Sequence, residues 1–258
     1  MHKSLKRGKY TTVGYEKEFD KVDLGGVYVQ GIVDRIDTYS DGENEYVRII
    51  DYKTGKTEFD IANIYNKVNM QMVIYALAVK KTLGKNVEIS GMFYNKVKHD
   101  VVKCPEGSED TAGAEHIKNM KLDGVIFAPK NADGKFDMEK VYAVDEDARD
   151  RKSYKSDFSP VSLNADGSVS AGSVYGTSER DGLLEYVSDS IKEIDSDIKS
   201  GKIDVSPYSE DSTKNACTYC EYKAACVFER ENAEFRKKSG SKKEIWEHMA
   251  EYKGGDGK

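Results

Sequence analysis

Along residues 26–39, Val27, Val29, Gly31 and Val33 alternate with Tyr28, Gln30, Ile32 and Asp34. A period of two predicts a strand with one buried face. Asp41-Gly42 follows as a hairpin-type turn signal, and Val47, Ile49 and Ile50 within residues 46–51 predict the returning strand. Residues 10–20 mix polar and β-branched positions and also read as strand. Thr54-Gly55-Lys56 closes this block, since Gly and Thr punctuate a strand exit. From about residue 69 the period lengthens. Met72, Tyr75, Ala76, Val79 and Leu83 recur at three and four positions, which marks one face of a helix, and Gly84 supplies its stop. Residues 87–95 return to strand character. Strands, a helix and a further strand predict an α/β core with a mixed sheet.

Residues 105–178 are polar and rich in Gly, Asp and Ser, and only Val125-Ile126-Phe127 resembles strand. An elaborated loop or hairpin insertion is expected there. Leu183, Tyr186, Val187, Ile191, Ile194 and Ile198 form a helical stripe over residues 182–199, ended by Gly201. Residues 244–252 predict a short amphipathic helix around Ile245, Trp246 and Met249, inside a charged, solvated tail at 230–258.

Composition narrows the function classes. With 258 residues, 38% hydrophobic and 33% charged, the chain is polar but able to build a core. Forty basic against 46 acidic residues give −6, so any nucleic-acid contact must rest on a local groove rather than a basic tail. The longest apolar stretch, residues 72–79, is far short of a membrane span, and Met1-His2-Lys3 lacks a signal-peptide core. A cytoplasmic protein without membrane association is expected. Three of the four cysteines fall within residues 217–226, which suggests a metal or cluster site in a reducing compartment.

The candidate chemistry lies on the first strands. Asp34 sits in an apolar strand, where a lone carboxylate is costly unless paired or bound to a cation. Asp51 ends the next strand, and a hairpin joining the two would bring both carboxylates to one sheet edge. Their repulsion is relieved by a hard divalent cation. Lys53, two residues after Asp51, points to the same face. Gln71 and Tyr75 stand four apart on the following helix, hence on one side. An amine and an amide beside two carboxylates suit chemistry on a phosphate.

Gly31-Ile32-Val33-Asp34-Arg35-Ile36-Asp37, then Ile50-Asp51-Tyr52-Lys53-Thr54-Gly55, then Gln71 with Tyr75-Ala76 resemble the RecB-like branch of the PD-(D/E)XK nuclease superfamily. The resemblance implies a restriction-endonuclease-like mixed central sheet flanked by helices. It implies that Asp34 and Asp51 hold one or two Mg²⁺ ions, with the main-chain carbonyl of Tyr52 as a further ligand. Lys53 then matches the catalytic lysine, assisted by Gln71 and Tyr75. Arg35 is expected to brace the strand pair, and Asp37 and Glu18 to be structural.

Cys217, Cys220 and Cys226 supply three thiolates, whereas zinc and iron–sulfur clusters take four ligands. Cys104 or a residue outside this chain would be the fourth. Following the stretch from Ile198 to Pro207, this cysteine pattern resembles the C-terminal nuclease domain of the AddB/RexB family of bacterial ATP-dependent helicase–nucleases. The match runs from about residue 10 to 252 and is weakest over 105–178. It implies a [4Fe–4S] cluster, an AddA-type partner subunit that feeds single-stranded DNA to the site, and a role in double-strand-break repair. The chain departs from that family in two ways. Cys104 follows the nuclease motifs instead of preceding them. The helix that carries a His metal ligand in RecB-like nucleases is also missing, and His2 is a poor substitute. The chain therefore reads as the C-terminal part of a longer protein, with a nuclease domain at 1–229, an incomplete cluster and weakened metal binding.

The expected activity is metal-dependent exonucleolytic hydrolysis of DNA. Two rivals remain: a non-catalytic DNA-binding scaffold with structural zinc, and a CRISPR-adaptation-type exonuclease. The latter ranks lower because such enzymes lack a long insertion like 105–178.

Overall fold

Asp41 sets the central hairpin. Its Oδ1 accepts from the amides of Glu43 and Asn44 at 3.0 and 2.9 Å, and Gly42 takes a φ of 96° that favours glycine. This turn joins β2 (Tyr28–Ser40) to β3 (Glu45–Lys53) and pairs Ser40 with Glu45. The computed structural model describes residues 7–55, 57–84, 86–97, 121–211, 213–218, 220–226 and 235–254.

β1 (Thr11–Asp23) lies antiparallel to β2 at the sheet edge. After β3 the chain forms a short helix α1 (Ile61–Tyr65), capped by Asp60, and then α2 (Gln71–Leu83). It returns as β4 (Val87–Lys96), parallel to β3. β5 (Asp123–Phe127) and β6 (Val174–Tyr175) complete a six-stranded mixed sheet in sequential order β1 to β6. β3 is nearly continuously buried, as a central strand covered on both faces must be.

Two apolar clusters sandwich the sheet. On one face Val47, Ile49 and Met92 meet α1, α2, the long helix α4 (Thr177–Lys199) and α6 (Lys242–Glu251). On the other, Tyr46, Ile50 and Phe93 meet α3 (Met138–Val144) and the 121–175 segment. Each fully buried aliphatic side chain here contributes roughly 1.5–3 kcal/mol.

Two expectations change. Residues 121–178 are not merely a polar loop. They supply β5, α3, β6 and buried Leu122, Ile126, Val161 and Leu163, which form much of the second core. Sparse apolar residues suffice because Gly, Asp and Ser make the turns between them. Lys140 fastens this segment to the hairpin, pairing with Asp41 and lying 4.2 Å from the Tyr46 ring centroid. The helix near 244–252 is not solvated either. α6 buries Ile245, Trp246 and Met249, and Trp246 stacks on Tyr175 at 3.9 Å. Its charges occupy only the outer face, a division that an amphipathic helix permits.

The cysteine segment carries α5 (Lys223–Cys226) and is flanked by a small parallel ladder of β7 (Tyr208–Ser209) and β8 (Arg236–Lys237). Cys104, His2 and residues 105–120 lie outside the described residues. Among the described residues, no helix is long and apolar enough to cross a membrane.

Candidate active site

The β2–β3 register places the first two carboxylates. The pairing ends with Arg35 opposite Ile50, and Asp34 and Asp51 are the next residue along each strand. There a side chain replaces the main-chain ladder: Asp34 Oδ2 accepts the Tyr52 N–H at 2.7 Å. In a strand the N–H and C=O of one residue lie on the same edge, so the Tyr52 carbonyl also faces β2 beside Asp34.

Strand alternation then carries Asp51 and Lys53 to the face of Val47 and Ile49, under α2. Lys53 Nζ lies 2.7 Å from Asp51 Oδ2. That oxygen is buried, and beyond this close ion pair with Lys53 it has no hydrogen-bond partner. Burial pushes the Asp51 carboxyl above its ordinary range; Lys53 pulls it back, and the charge of Asp34 adds to the rise.

α2 brings the amide. Gln71 Oε1 accepts from Lys53 Nζ at 3.0 Å, and its Nε2 donates to the Tyr75 hydroxyl at 2.8 Å. The two bonds fix the orientation of the amide, because only the oxygen can accept from an ammonium. Gly31 makes room for this arrangement. A Cβ there would stand 2.9 Å from the Phe19 ring and 3.4 Å from Tyr75, and Phe19 meets Tyr75 edge-on at 5.8 Å.

Asp34, Tyr52, Asp51, Lys53, Gln71 and Tyr75 thus form one connected cluster at the C-terminal end of β3. Sequence reasoning missed Tyr94 and Asn69. Tyr94 is the register partner of Asp51 on β4, and its ring centroid lies 5.6 Å from Lys53 Nζ. Burial, and then the neighbouring Asp51 carboxylate, push its hydroxyl up to about 12, so it remains a neutral phenol. Asn69 donates to that hydroxyl at 3.4 Å and accepts the Gln71 N–H at 3.3 Å, which supports the start of α2. A tyrosine within the apolar run 92–94 was the available signal.

Arg35 and Asp37 do brace the strand pair. Arg35 donates to both Asp37 oxygens at 2.7 Å, and Arg48 adds a bond of 2.8 Å. Glu18 is exposed on β1 opposite Ile32, away from this network. An apolar cleft of about 270 Å³ between β1, β2 and α2, lined by Val13, Phe19, Val33 and Leu83, contains none of the site residues.

The donor set fits a hard divalent cation: two carboxylates near enough for the charge of one to raise the other, one with a buried oxygen held by Lys53 alone, and a main-chain carbonyl. Mg²⁺ typically takes one or two carboxylates and keeps several waters. The cysteines fit a cluster less well. Cys220 and Cys226 are exposed, and three thiols are one short of four. Among the described residues, no three His, Cys, Asp or Glu side chains gather into a metal-binding group.

A family model for the PD-(D/E)XK nuclease superfamily matches residues 2–227. The chain is 30% identical over 269 residues to the ATP-dependent helicase/deoxyribonuclease B subunit of Clostridium kluyveri, covering 95% of this chain and 22% of that protein. It is 28% identical over 273 residues to the protein of the same name from Thermoanaerobacter sp., covering 98% and 22%. The corresponding Clostridium botulinum protein is 30% identical over 245 residues, covering 88% and 20%. The chain therefore spans about a fifth of the length of these relatives.

Proposed function

We propose, on the premise that this chain belongs to the PD-(D/E)XK nuclease superfamily, that it hydrolyses DNA phosphodiesters with a divalent cation, Mg²⁺ by preference, held at Asp34, Asp51 and the Tyr52 carbonyl. The observation that carries this reading is the single cluster joining Asp34, Asp51, Lys53, Gln71 and Tyr75 through Tyr52 and α2. When bound, the cation supplies Lewis acidity toward the scissile phosphate. The protein groups do the positioning. Lys53 offers an ammonium to the charge that develops on the phosphate. Gln71 holds that ammonium through Oε1, and Tyr75 keeps the Gln71 amide from turning.

Contacts to the backbone carry no base information, so low sequence preference accompanies this chemistry. The relatives are named as helicase/deoxyribonuclease subunits, which supports DNA as substrate and a helicase, AddA-type in the family resembled, as the partner delivering single strands. Exonucleolytic processing of double-strand breaks is the role consistent with that pairing. Cys217, Cys220 and Cys226 would supply three thiolates of a structural [4Fe–4S] cluster in a longer parent protein, and by themselves they leave that cluster incomplete. No step of the hydrolysis passes through it.

The test is cleavage of end-labelled single-stranded DNA by this chain with Mg²⁺. Asp51→Ala and Lys53→Ala are expected to slow it at least ~100-fold, the scale of losing a charge-stabilising group, and EDTA is expected to abolish it. Cleavage by both variants at the parental rate overturns the assignment.

A further inference from the structure

Lys53 has two anchors, and only one of them is compatible with a metal on Asp51. The ammonium sits 2.7 Å from Asp51 Oδ2 and 3.0 Å from Gln71 Oε1. The Asp51 side chain is 5% exposed and that of Lys53 25%, so water screens the pair weakly. A divalent ion on the same oxygen at roughly 2.0–2.1 Å would repel an ammonium held there.

We propose that Lys53 is the built-in counter-cation of this site: it neutralises Asp51 until a divalent ion takes the carboxylate, and Gln71 then retains the displaced ammonium for the phosphate. This rests on the reading of Asp34 and Asp51 as metal ligands. The charge of Asp34 bears unfavourably on Asp51, and the Lys53 ammonium at 2.7 Å offsets that repulsion in the metal-free chain. The ammonium has a short way to go on displacement, because Gln71 Oε1 already contacts it. Tyr75 and Asn69 keep that acceptor in place, one through the amide nitrogen and the other through the Gln71 main chain. Gln71 is thus a positioning residue that acts through Lys53.

The exchange makes opposite predictions for two neighbours. Without Lys53 the carboxylates hold a divalent ion more tightly, although cleavage slows. Without Gln71 the ammonium has Asp51 as its remaining anchor, so the ion binds more weakly. A loss of structure alone weakens binding in both.

The experiment is a Mn²⁺ titration of the whole chain, following free Mn²⁺ by electron paramagnetic resonance. Lys53→Met is expected to lower Kd about 10-fold, equivalent to about 1.4 kcal/mol. Gln71→Ala is expected to raise it several-fold. Lys53→Gln serves as the second variant should Lys53→Met fail to fold, with the same direction expected. Asp51→Asn separates the two levels of inference. If it weakens binding while the lysine variants bind no tighter than the parent, the exchange is overturned and the metal site stands. If it leaves Mn²⁺ binding unchanged, the metal site falls and the exchange falls with it.

Discussion

Asp37 has no exposed surface and still carries a charge, because two arginines and Thr12 hold it. Burial would raise its carboxyl, but the Arg35 hydrogen bond and the charges of Arg48 and Arg35 outweigh it and hold the group below the usual carboxylate range. The folded-state value is then lower than the unfolded one. The resulting stabilisation is complete above the unfolded value, about 3.9, and is lost as pH falls through the folded value. Urea unfolding should show a stability gap between the parent and Asp37→Asn that is widest above about pH 4 and narrows below it. A gap that widens on acidification contradicts this assignment. Asp37→Ala should cost about 3–5 kcal/mol at neutral pH, since it leaves two buried guanidiniums without their carboxylate. These residues lie on the face opposite Lys53, so the network stiffens the strands whose ends carry Asp34 and Asp51.

The helices show how closely elements approach when a glycine allows it. A Cβ at Gly182 would stand 1.7 Å from the Met249 carbonyl oxygen, so α4 and α6 touch backbone to backbone at that point. In an isolated helix Gly182→Ala would gain about 1 kcal/mol of propensity. Here the helices must separate, and overpacking of this kind costs about 1–3 kcal/mol or more. Thermal unfolding should therefore show Gly182→Ala less stable than the parent, whereas a rise in Tm would mean that α6 does not seat on α4. The capping box of Ser241 and Glu244 fixes where α6 begins, and thus which residues reach the core. Residues read as a solvated tail are in this way committed to the layer that covers β3 and β4.

At the scale of the molecule, a charge of −6 leaves little general attraction for a polyanion. Single-stranded DNA should bind this chain weakly and with few counterions released, giving a log Kd against log salt slope of magnitude ~2 or less. Fluorescence anisotropy across a salt series measures that slope, and a steep one would point to a basic track not evident here. Much of the site was legible because its signals are local. The Asp41-Gly42 turn, the alternation around Asp34 and the three-and-four spacing from Met72 each depend on residues a few positions apart. They determined the hairpin, the strand carrying Asp51 and Lys53, and the helix carrying Gln71 and Tyr75. Tertiary structure alone decided that Asp34 caps the Tyr52 amide, that Tyr94 lies beside Lys53, that both Arg35 and Arg48 serve Asp37, and that residues 121–178 and α6 build cores. Those outcomes rest on strand register and on packing between distant segments. They are set by the summed burial of the whole sheet, which no short window of sequence contains.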